Sequence, residues 1–271
     1  MDHDNFHTAC DRNIAAALRH FAIHAENAVL SESRSALLVA AAVPFAGAFH
    51  NAAFRLDAGS NDVLEELSAF SARWERDLIL WASTRRDGDL ARAASAAGLR
   101  LQSSTVGMAI EEPPGPPVVP GGAELHRVTD AAGVACFAAV HEQLFRDSGR
   151  PVGAVAHFAS PGALLAPEVA AFVLLVDARP VACAMIVVSG QEAGVYWVAT
   201  RSDARRRGFG EIVTRAAVRA GFEHGARVVV LQSSELGLPL YRRLGFEPFS
   251  EYLRFLLELR RGGRSGRLAG S

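Results

Sequence analysis

The stretch "ATRSDARRRGFGEIVTRAA", Ala199 to Ala217, carries the features that decide the fold of this chain. An apolar run leads into a turn with three consecutive arginines, Arg205 to Arg207, and these are followed by Gly208 and Gly210. An amphipathic pattern then predicts a helix over about 208–224, with apolar residues on one face and charged residues at i,i+4 spacing on the other. A strand, a positively charged turn and a helix in this order predict a site for an anion.

Phosphate is the anion that such a turn suits best. Backbone N–H groups at a helix N-terminus have no intrahelical acceptors, and the helix dipole adds positive potential there. Glycine lets the main chain approach a bulky anion closely, and a strand entering the turn delivers a diphosphate to the helix end. The spacing Arg205-x-x-Gly208-x-Gly210 differs from the G-x-G-x-x-G fingerprint of dinucleotide-binding folds.

Composition bounds the class of protein. The chain has 271 residues, of which 50% are hydrophobic and 21% charged, so two globular domains are expected. With 28 basic and 29 acidic residues the net charge is −1, which predicts no dedicated nucleic-acid binding. Every basic residue is arginine, and a chain without lysine has neither a Schiff-base lysine nor a Walker-type phosphate loop.

Cysteine usage and the apolar runs predict a cytoplasmic protein that does not enter membranes. Cys10, Cys136 and Cys183 are far apart, so neither a disulfide framework nor a thiolate zinc site is expected. The acidic N-terminus does not resemble a signal peptide. The longest apolar run, "SALLVAAAVPFAGAF" over 35–49, is too short to cross a bilayer and is interrupted by proline and glycine.

One stretch marks a boundary between two domains. "EEPPGPPVVPGG", Glu111 to Gly122, holds five prolines and three glycines and cannot sustain a helix or a strand. We therefore expect an N-terminal domain over 1–112, a linker over 113–122, a second domain over 123–259 and a disordered tail over 260–271.

The second half is predicted to form a mixed sheet covered by helices, in the order β-α-β-β-β-α-β-α-β. Its strands are expected in 123–129, 168–177, 180–189, 192–200, 226–234 and 249–259, and its helices in 130–145, 208–224 and 236–244. The segment rich in glycine, proline and alanine after the first of these helices is predicted to be a loop.

The first half has a weaker pattern that repeats part of the second. Helices are expected in 13–30, 61–77 and 88–98, and strands in 35–43, 47–57, 78–83 and 99–111. "DLARAASAAGLRLQSSTVGMAIEE" and "PLYRRLGFEPFSEYLRFLLEL" both run helix, glycine, apolar residue, polar stretch, strand. The match predicts a structural repeat.

These motifs together resemble the GNAT acyltransferase superfamily. The arginine turn resembles its R/Q-x-x-G-x-G/A coenzyme A loop, and "VYWVAT" over 195–200 its splayed central strand. "VVVLQSS" over 228–234 is similar to its next strand, and "LGLPLYRRLGFEPF" over 236–249 to its helix-Tyr-x-x-x-Gly-Phe signature. The resemblance covers about Leu125 to Leu259. It implies an α/β (α+β) fold: a mixed, mostly antiparallel GNAT sheet flanked by helices, in two tandem GNAT-like domains.

The resemblance also implies a co-substrate, acetyl-CoA or another acyl-CoA, and residues to bind it. Main-chain groups around Val198 and Thr200 would hold the pantetheine arm and polarise the thioester carbonyl. Tyr241 stands where the family often has the acid that protonates the departing thiolate. The implied cofactor-binding residues are Val198, Ala199, Thr200, Arg205, Arg206, Arg207, Gly208, Phe209, Gly210, Ser233 and Tyr241.

The base that would deprotonate the amine is not identified by the resemblance. Many members carry a carboxylate on the central strand, but "GVYWVAT" has none. Glu192, just before the strand, is one candidate, and Glu142 or His141 on the first helix of this half are others. Water relayed by the backbone, or no dedicated base, is the remaining alternative.

The other candidate residues are expected to have ordinary structural roles. His3/His7 and His20/His24 have the i,i+4 spacing of helical metal ligands, but neither pair has a completing glutamate or an obvious third ligand, so no metal is expected. The three tryptophans, at 74, 81 and 197, are expected in the core or in a cleft wall.

The first half resembles a degenerate GNAT domain. It has no R-x-x-G-x-G motif and no tyrosine in the matching short helix, so it is not expected to bind CoA. The role expected for it is to form a wall of the acceptor site or to support the sheet.

The predicted function is acyl transfer, most simply of acetyl, from acetyl-CoA to a primary amine of a small-molecule or peptide acceptor by direct attack. The alternative is a CoA-binding pseudoenzyme or sensor without transferase activity. A monomer or a homodimer is expected.

Overall fold

A computed structural model of the chain describes residues 2–43, 46, 47, 49–60 and 62–259. The tail predicted to be disordered, 260–271, lies outside these residues. The first half begins with a long helix and continues with five strands and two helices. In chain order these are α1 (His3–His24), β1 (Val29–Glu32), β2 (Ala36–Ala40), β3 (Asn51–Arg55), α2 (Val63–Trp74), β4 (Leu78–Ser83), α3 (Gly88–Ala96) and β5 (Arg100–Ile110).

The second half has six strands and four α-helices. They are β6 (Ala123–Arg127), α4 (Ala131–Asp147), α5 (Pro161–Leu164), β7 (Val169–Val176), β8 (Arg179–Ser189), β9 (Glu192–Thr200), α6 (Phe209–Glu223), β10 (Val228–Ser233), α7 (Leu238–Arg243) and β11 (Glu247–Leu257). The predicted strands and the amphipathic helix over 208–224 are confirmed. The stretch 146–166 is not only a loop, since it holds a 3-10 helix at Val152–His157 and the short α5.

All the strands belong to one sheet, in the order β1-β2-β3-β4-β11-β5-β10-β9-β8-β7-β6. The neighbours are antiparallel except for β3 with β4 and β9 with β10. This is the mixed, mostly antiparallel sheet expected from the sequence. The last strand of each half pairs with the other half: β5 pairs with β10, and β11 with β4. The two halves therefore share a continuous sheet, and their division into domains stays a prediction.

The order of elements repeats between the halves. Strands β2 and β3, helix α2, strand β4, helix α3 and strand β5 follow one another as β8, β9, α6, β10, α7 and β11 do. In both runs the parallel pair is joined by the longer helix, α2 or α6. The structural repeat predicted from the loose sequence match is thus present in the topology.

Helix α1 packs on one face of the sheet and contacts strands of both halves. It begins ten residues before the predicted start, with the Asp2 side chain accepting a hydrogen bond from the Asn5 N–H. It also ends earlier, and Val29–Glu32 forms an edge strand in place of the predicted helix end. Polar side chains on the buried face of α1 explain why its start shows no hydrophobic pattern: the buried Asp11, for example, accepts a hydrogen bond from Tyr252 Oη at 2.9 Å.

The remaining helices sandwich the sheet. Side chains of β8 alternate between the two faces: Cys183 and Met185 pack in the cluster that contains α1 and α4, and Ala184 and Ile186 pack in the cluster that contains α6. Helices α2 and α3 cover β2 and β4 in a third cluster. Of the helices in the described part of the chain, none combines the length and the apolarity that crossing a bilayer requires.

The proline-rich segment lies along the exposed side of α6. Arg215 Nη1 donates to Gly115 O at 3.3 Å, and Arg219 Nη1 donates to Pro114 O at 3.1 Å. The predicted i,i+4 pair of Arg215 with Glu211 is present as well, at 2.8 Å. These contacts hold the segment beside the helix that follows the arginine turn.

Candidate functional site

The central strand of the second half separates from its parallel neighbour. β9 pairs with β10 only from Glu192 to Gly194, although it continues to Thr200 along β8. Beyond this point β10 keeps only its antiparallel partner β5. A cleft therefore opens between the second part of β9 and the end of β10, as the resemblance implied.

β9 bulges where the cleft begins, in its pairing with β8. The register with β8 shifts between Cys183 and Met185, so that two residues of β9, Trp197 and Val198, oppose one residue of β8. Trp197 has a φ of 52°, which is rare for a residue with a side chain. Its ring stacks on Phe158, with 3.5 Å between the ring centroids. The bulge redirects the main chain where the cleft begins.

The arginine turn joins the end of β9 to the first turn of α6. Gly208, at the N-cap, has a φ of 79°, and Arg206 has a φ of 62°. Within the described residues, the backbone N–H groups of Gly208, Phe209 and Gly210 have no hydrogen-bond acceptor. Free N–H groups at the start of a 15-residue helix can bind an anion without rearrangement.

The arginine side chains surround this turn and are exposed. Arg205 Nε donates to Thr200 O at 3.4 Å, and the Arg207 guanidinium lies 4.6 Å from the centroid of the Phe209 ring. In the described part of the chain none of the three arginines pairs with a carboxylate. The turn therefore keeps its positive charge.

Gly210 packs against the end of β9. A Cβ atom at this position would lie 3.1 Å from Thr200 Oγ1, closer than ordinary van der Waals contact. Thr200 is thus held between the strand end and the helix start. Of the two glycines of the motif, Gly208 is needed for its backbone conformation and Gly210 for this close approach.

A cavity of about 410 Å³ opens at the cleft, between the two halves. Val198 and Tyr241, two of the predicted site residues, line it, and Trp81 and Trp197 form part of its wall as predicted. The third tryptophan, Trp74, lies outside the cavity and is 37% exposed at the end of α2. Ala199 is buried beside Cys183 of β8, and Ser233 is buried at the end of β10 with its hydroxyl donating to Ser234 O at 2.7 Å.

Tyr241 lies in α7, and its ring contacts Phe246, with 5.9 Å between the ring centroids. Burial raises the pKa of Tyr241 to about 12, so that the hydroxyl keeps its proton at neutral pH. Within the described residues this hydroxyl makes no hydrogen bond. It is available to a ligand in the cavity.

The structure does not bring the candidate bases into the cavity. Glu192 stands at the other end of β9, six residues or about 20 Å along the strand from Val198, and pairs with Arg12 at 3.3 Å. Glu142 lies on the outer side of α4 and accepts a hydrogen bond from Arg146 at 2.9 Å. Neither glutamate lines the cavity.

His141 is buried and donates through Nε2 to Trp197 O at 2.9 Å. Burial lowers the pKa of His141 to about 4, so the imidazole is neutral at physiological pH. Its ring contacts Phe158 edge-on, at 4.9 Å between centroids. Its environment suits a role in positioning the bulge better than one in accepting a proton from a ligand.

The histidine pairs of α1 have polar partners that the sequence did not reveal. His7 contacts the hydroxyl of Ser83, and its Nδ1 lies 3.5 Å from Asp11. Glu168 completes a group with His20 and His24 whose possible ligand atoms lie within 4.8 Å of one another. Both ring nitrogens of His20 are already engaged, with Glu168 at 3.0 Å and with the main-chain oxygen of residue 163 at 2.9 Å.

Among the cavity residues that the sequence did not reveal are Thr105 on β5, Arg150 after α4, and Arg254 on β11. Thr105 and Arg254 lie on β5 and β11, the last strands of the two halves, each of which pairs with a strand of the other half. A polar or charged residue in a predicted strand ordinarily indicates a solvent-facing position. Only the pairing of β5 and β11 with strands of the other half brings these two side chains to the cleft.

Comparison with known proteins agrees with this geometry. Residues 136–246 match the Acetyltransferase (GNAT) family, and no curated protein gives a significant match. A GCN5-related N-acetyltransferase from Kribbella flavida aligns at 21% identity over 90% of this chain and 94% of its own, with a TM-score of 0.68. A tandem GNAT protein from the clavulanic acid biosynthesis pathway aligns at 13% identity over 95% and 97% of the two chains, with a TM-score of 0.61.

A GCN5-related N-acetyltransferase from Sphaerobacter thermophilus, 16% identical, covers 92% of this chain and 91% of its own with a TM-score of 0.58. Similarities of this order show a common fold over nearly the whole length. Residues 136–246 thus match the GNAT family model, and the chain as a whole shares its fold with solved GNAT proteins, a tandem one among them.

Proposed function

We propose that this protein transfers an acetyl group from acetyl-CoA to a primary amine by direct attack. The observation that carries the proposal is the alignment of three features along one cleft: the free amides at 208–210, the parting of β9 from β10 after Gly194, and the cavity lined by Tyr241. They suit, in turn, the diphosphate, the pantetheine arm and the thioester of acetyl-CoA.

The diphosphate would bind to the N–H groups of Gly208, Phe209 and Gly210, with the charge of Arg205 to Arg207 around it. Free helix-end amides cost no reorganisation on binding, and the arginine charge adds to the helix dipole. The pantetheine arm would then follow the unpaired edge of β9 at Val198 to Thr200. This is the edge that β10 leaves free.

In the transfer step the amine nitrogen attacks the thioester carbonyl carbon, a C–N bond forms, and the C–S bond breaks to leave a thiolate. Main-chain N–H groups at the bulge would stabilise the charge on the carbonyl oxygen. Full proton transfer from a phenol of pKa about 12 to a thiolate is unfavourable, because an ordinary thiol has a pKa of about 8.5. Tyr241 would therefore act mainly by donating a hydrogen bond to the departing sulfur.

The amine must lose one proton, and among the described residues no carboxylate lines the cavity. Because neither Glu192 nor Glu142 lines the cavity, their positions support a reaction without a dedicated base, one of the alternatives that the sequence left open. The amine would bind as the free base, and water would take the one proton that its nitrogen loses after the attack. Glu192→Gln and Glu142→Gln should then each keep kcat within about threefold of the unmodified protein.

The test is turnover of acetyl-CoA with a panel of primary amines, followed by thiol release and by mass spectrometry of the product. We expect CoA release that depends on the amine and a product heavier by one acetyl group. Tight binding of acetyl-CoA without transfer to any amine would instead favour the sensor. The Gly208→Val variant, which should not bind CoA, is the control for non-enzymatic acetylation.

A further inference from the structure

Three buried polar atoms around the cavity have no hydrogen-bond partner within the described residues. They are Thr105 Oγ1, Trp197 Nε1 and Arg254 Nε, and all three residues line the cavity. Buried polar groups are nearly always hydrogen-bonded, since leaving one unsatisfied costs free energy. Three such atoms around one cavity, contributed by β5, β9 and β11, indicate a polar ligand.

Arg254 identifies the charge of that ligand. Its guanidinium lies 5.4 Å from the centroid of the Trp81 ring and, in the part of the chain that the structure describes, pairs with no carboxylate. Burial lowers the pKa of Arg254. Arg55 shows the usual arrangement, because that buried arginine binds Asp89 at 3.0 Å. Arg254 is half-buried with a buried Nε, and even partial burial of a cation without a counter-ion is costly, so an anion from outside the chain suits its position.

A second cation borders the same cavity. Arg150 lies 4.7 Å from the centroid of the Phe145 ring, and its Nε donates to Ser148 Oγ at 3.1 Å. As with Arg254, no carboxylate of the described residues pairs with it, and none lines the cavity. The potential there favours anions. A polycationic acceptor would find no counter-charge.

We propose that the amine acceptor carries a carboxylate, and that Arg254, Trp197 and Thr105 bind it. The rest of the wall is largely aromatic, with Phe49 and Trp81 among the lining residues, and the volume of about 410 Å³ suits a molecule of amino-acid size. The acceptor class is thus a small primary amine with a carboxylate and an apolar body. This inference rests on the proposed acetyl transfer.

Matched pairs of amines test the carboxylate directly. We would compare L-phenylalanine with phenethylamine, and L-leucine with isoamylamine, by CoA release at saturating acetyl-CoA. Hydrogen bonds to charged groups predict that the carboxylated member of each pair has a kcat/KM about 10- to 100-fold higher. Equal or better turnover of the uncharged members would overturn the inference and leave the transferase function standing.

Variants assign the effect to Arg254. Arg254→Gln should raise the KM for L-phenylalanine about 10- to 100-fold and leave the KM for acetyl-CoA unchanged, whereas Arg254→Lys should lose less. Arg73→Gln is the matched control, since Arg73 also lies 5.4 Å from a tryptophan ring, that of Trp74, but outside the cavity. A rise in the KM for acetyl-CoA instead would show that Arg254 binds the co-substrate.

A binding measurement separates this inference from the proposed function. N-acetyl-L-phenylalanine should change the tryptophan fluorescence of the protein, N-acetyl-phenethylamine should not, and Arg254→Gln should abolish the difference. Binding of this kind without turnover would support the carboxylate site and reject the transferase. Removal of an unpaired, half-buried charge should also raise Tm in Arg254→Gln, and a lower Tm would show that Arg254 has a structural partner instead.

Discussion

The imidazole of His141 donates a 2.9 Å hydrogen bond to the main-chain oxygen of Trp197, the residue at which β9 bulges. The carbonyl is fixed towards α4 by this bond, and the strand turns at the same point with a φ of 52°. A backbone conformation that a tryptophan rarely adopts persists only where its surroundings hold it. His141 is therefore a positioning residue for the edge of the cleft.

Replacing His141 should reveal this role. His141→Phe removes the main donor to this oxygen and leaves only the weak Cys183 thiol at 4.0 Å, which should lower the free energy of unfolding by about 0.5–1.5 kcal/mol. It should also lower kcat, because the bulge is no longer held. His141→Gln, which can still donate, should recover most of both values in urea unfolding and in the transfer assay. Equal kcat for the Phe and Gln variants would show that the bulge is held by other contacts.

Substitutions in the arginine turn should weaken CoA binding. Gly208→Ala places a side chain at a φ of 79°, and Gly210→Val presses against Thr200, so the amides would leave the positions that suit a diphosphate. We expect at least a tenfold rise in the Kd for CoA by calorimetric titration. Single alanine variants of Arg205, Arg206 or Arg207 should raise the Kd for CoA less, because three exposed charges share the attraction to the diphosphate.

Gly225 offers a matched control for this experiment. It lies just beyond the other end of α6, with a φ of 93°, and no neighbouring atom lies within 4 Å of the position that a methyl side chain would take. Gly225→Ala should therefore strain the backbone as Gly208→Ala does and leave the Kd unchanged. If both variants weaken binding equally, the effect is one of general stability and the turn is not the diphosphate site.

Tyr241→Phe tests the hydroxyl of Tyr241, a residue that lines the cavity. Loss of a hydrogen bond to the departing thiolate should lower kcat by about 10-fold and at most 100-fold, with the KM for acetyl-CoA nearly unchanged because the ring is retained. Tyr252→Phe is the control, since it removes a hydroxyl bonded to Asp11 at 2.9 Å outside the cavity. An unchanged kcat in Tyr241→Phe would assign Tyr241 to packing of α7.

One CoA should bind per chain. The turn between β3 and α2 corresponds in the repeat to the arginine turn, but its charge is opposite: Asp57 accepts the Gly59 N–H at 3.0 Å, and Glu65 and Glu66 lie in the first turn of α2. The buried Arg55 also bonds to the main chain of this turn, at Asp57 O. Calorimetry should give a stoichiometry near one, and two equivalent sites would refute the different roles proposed for the two halves.

The second half could be predicted closely from its sequence because its patterns are local. The amphipathic period fixes α6, and the apolar run that ends at Thr200 fixes β9 to the residue. The arginine turn, the cleft and Tyr241 follow from motifs within about fifty positions. These elements could be predicted because the buried face of each one is visible in its own sequence pattern.

The missed features depend on contacts between distant parts of the chain. The start of α1 is polar because its buried side chains bond to strands far away, as Asp11 does with Tyr252 of β11 at 2.9 Å. Likewise Arg254 alternates with apolar residues in β11 as an ordinary exposed charge would. Its partial burial follows from the place of β11 between β4 and β5, which the periodicity of the sequence does not show.

Acid should destabilise the fold through its buried histidines. Burial lowers the pKa of His7, His141 and His157 to about 4 and that of His50 to about 3, whereas an unfolded histidine titrates near 6.5. Between these values the unfolded chain binds more protons than the folded one. The contribution of these neutral, buried histidines to the free energy of unfolding is therefore complete above about pH 6.5 and is lost as the pH falls towards 4.

Asp11 acts in the opposite direction, because burial raises its pKa to about 7 and the folded state then binds its proton more tightly. Four histidines outweigh this one carboxyl group, and each net proton changes the free energy of unfolding by about 1.4 kcal/mol per pH unit. Urea unfolding should thus show a lower stability at pH 5 than at pH 7.5, and Asp11→Asn should steepen the fall. A stability at pH 5 that equals or exceeds the stability at pH 7.5 would mean that the imidazoles do not outweigh Asp11 and titrate more nearly as they do in the unfolded chain.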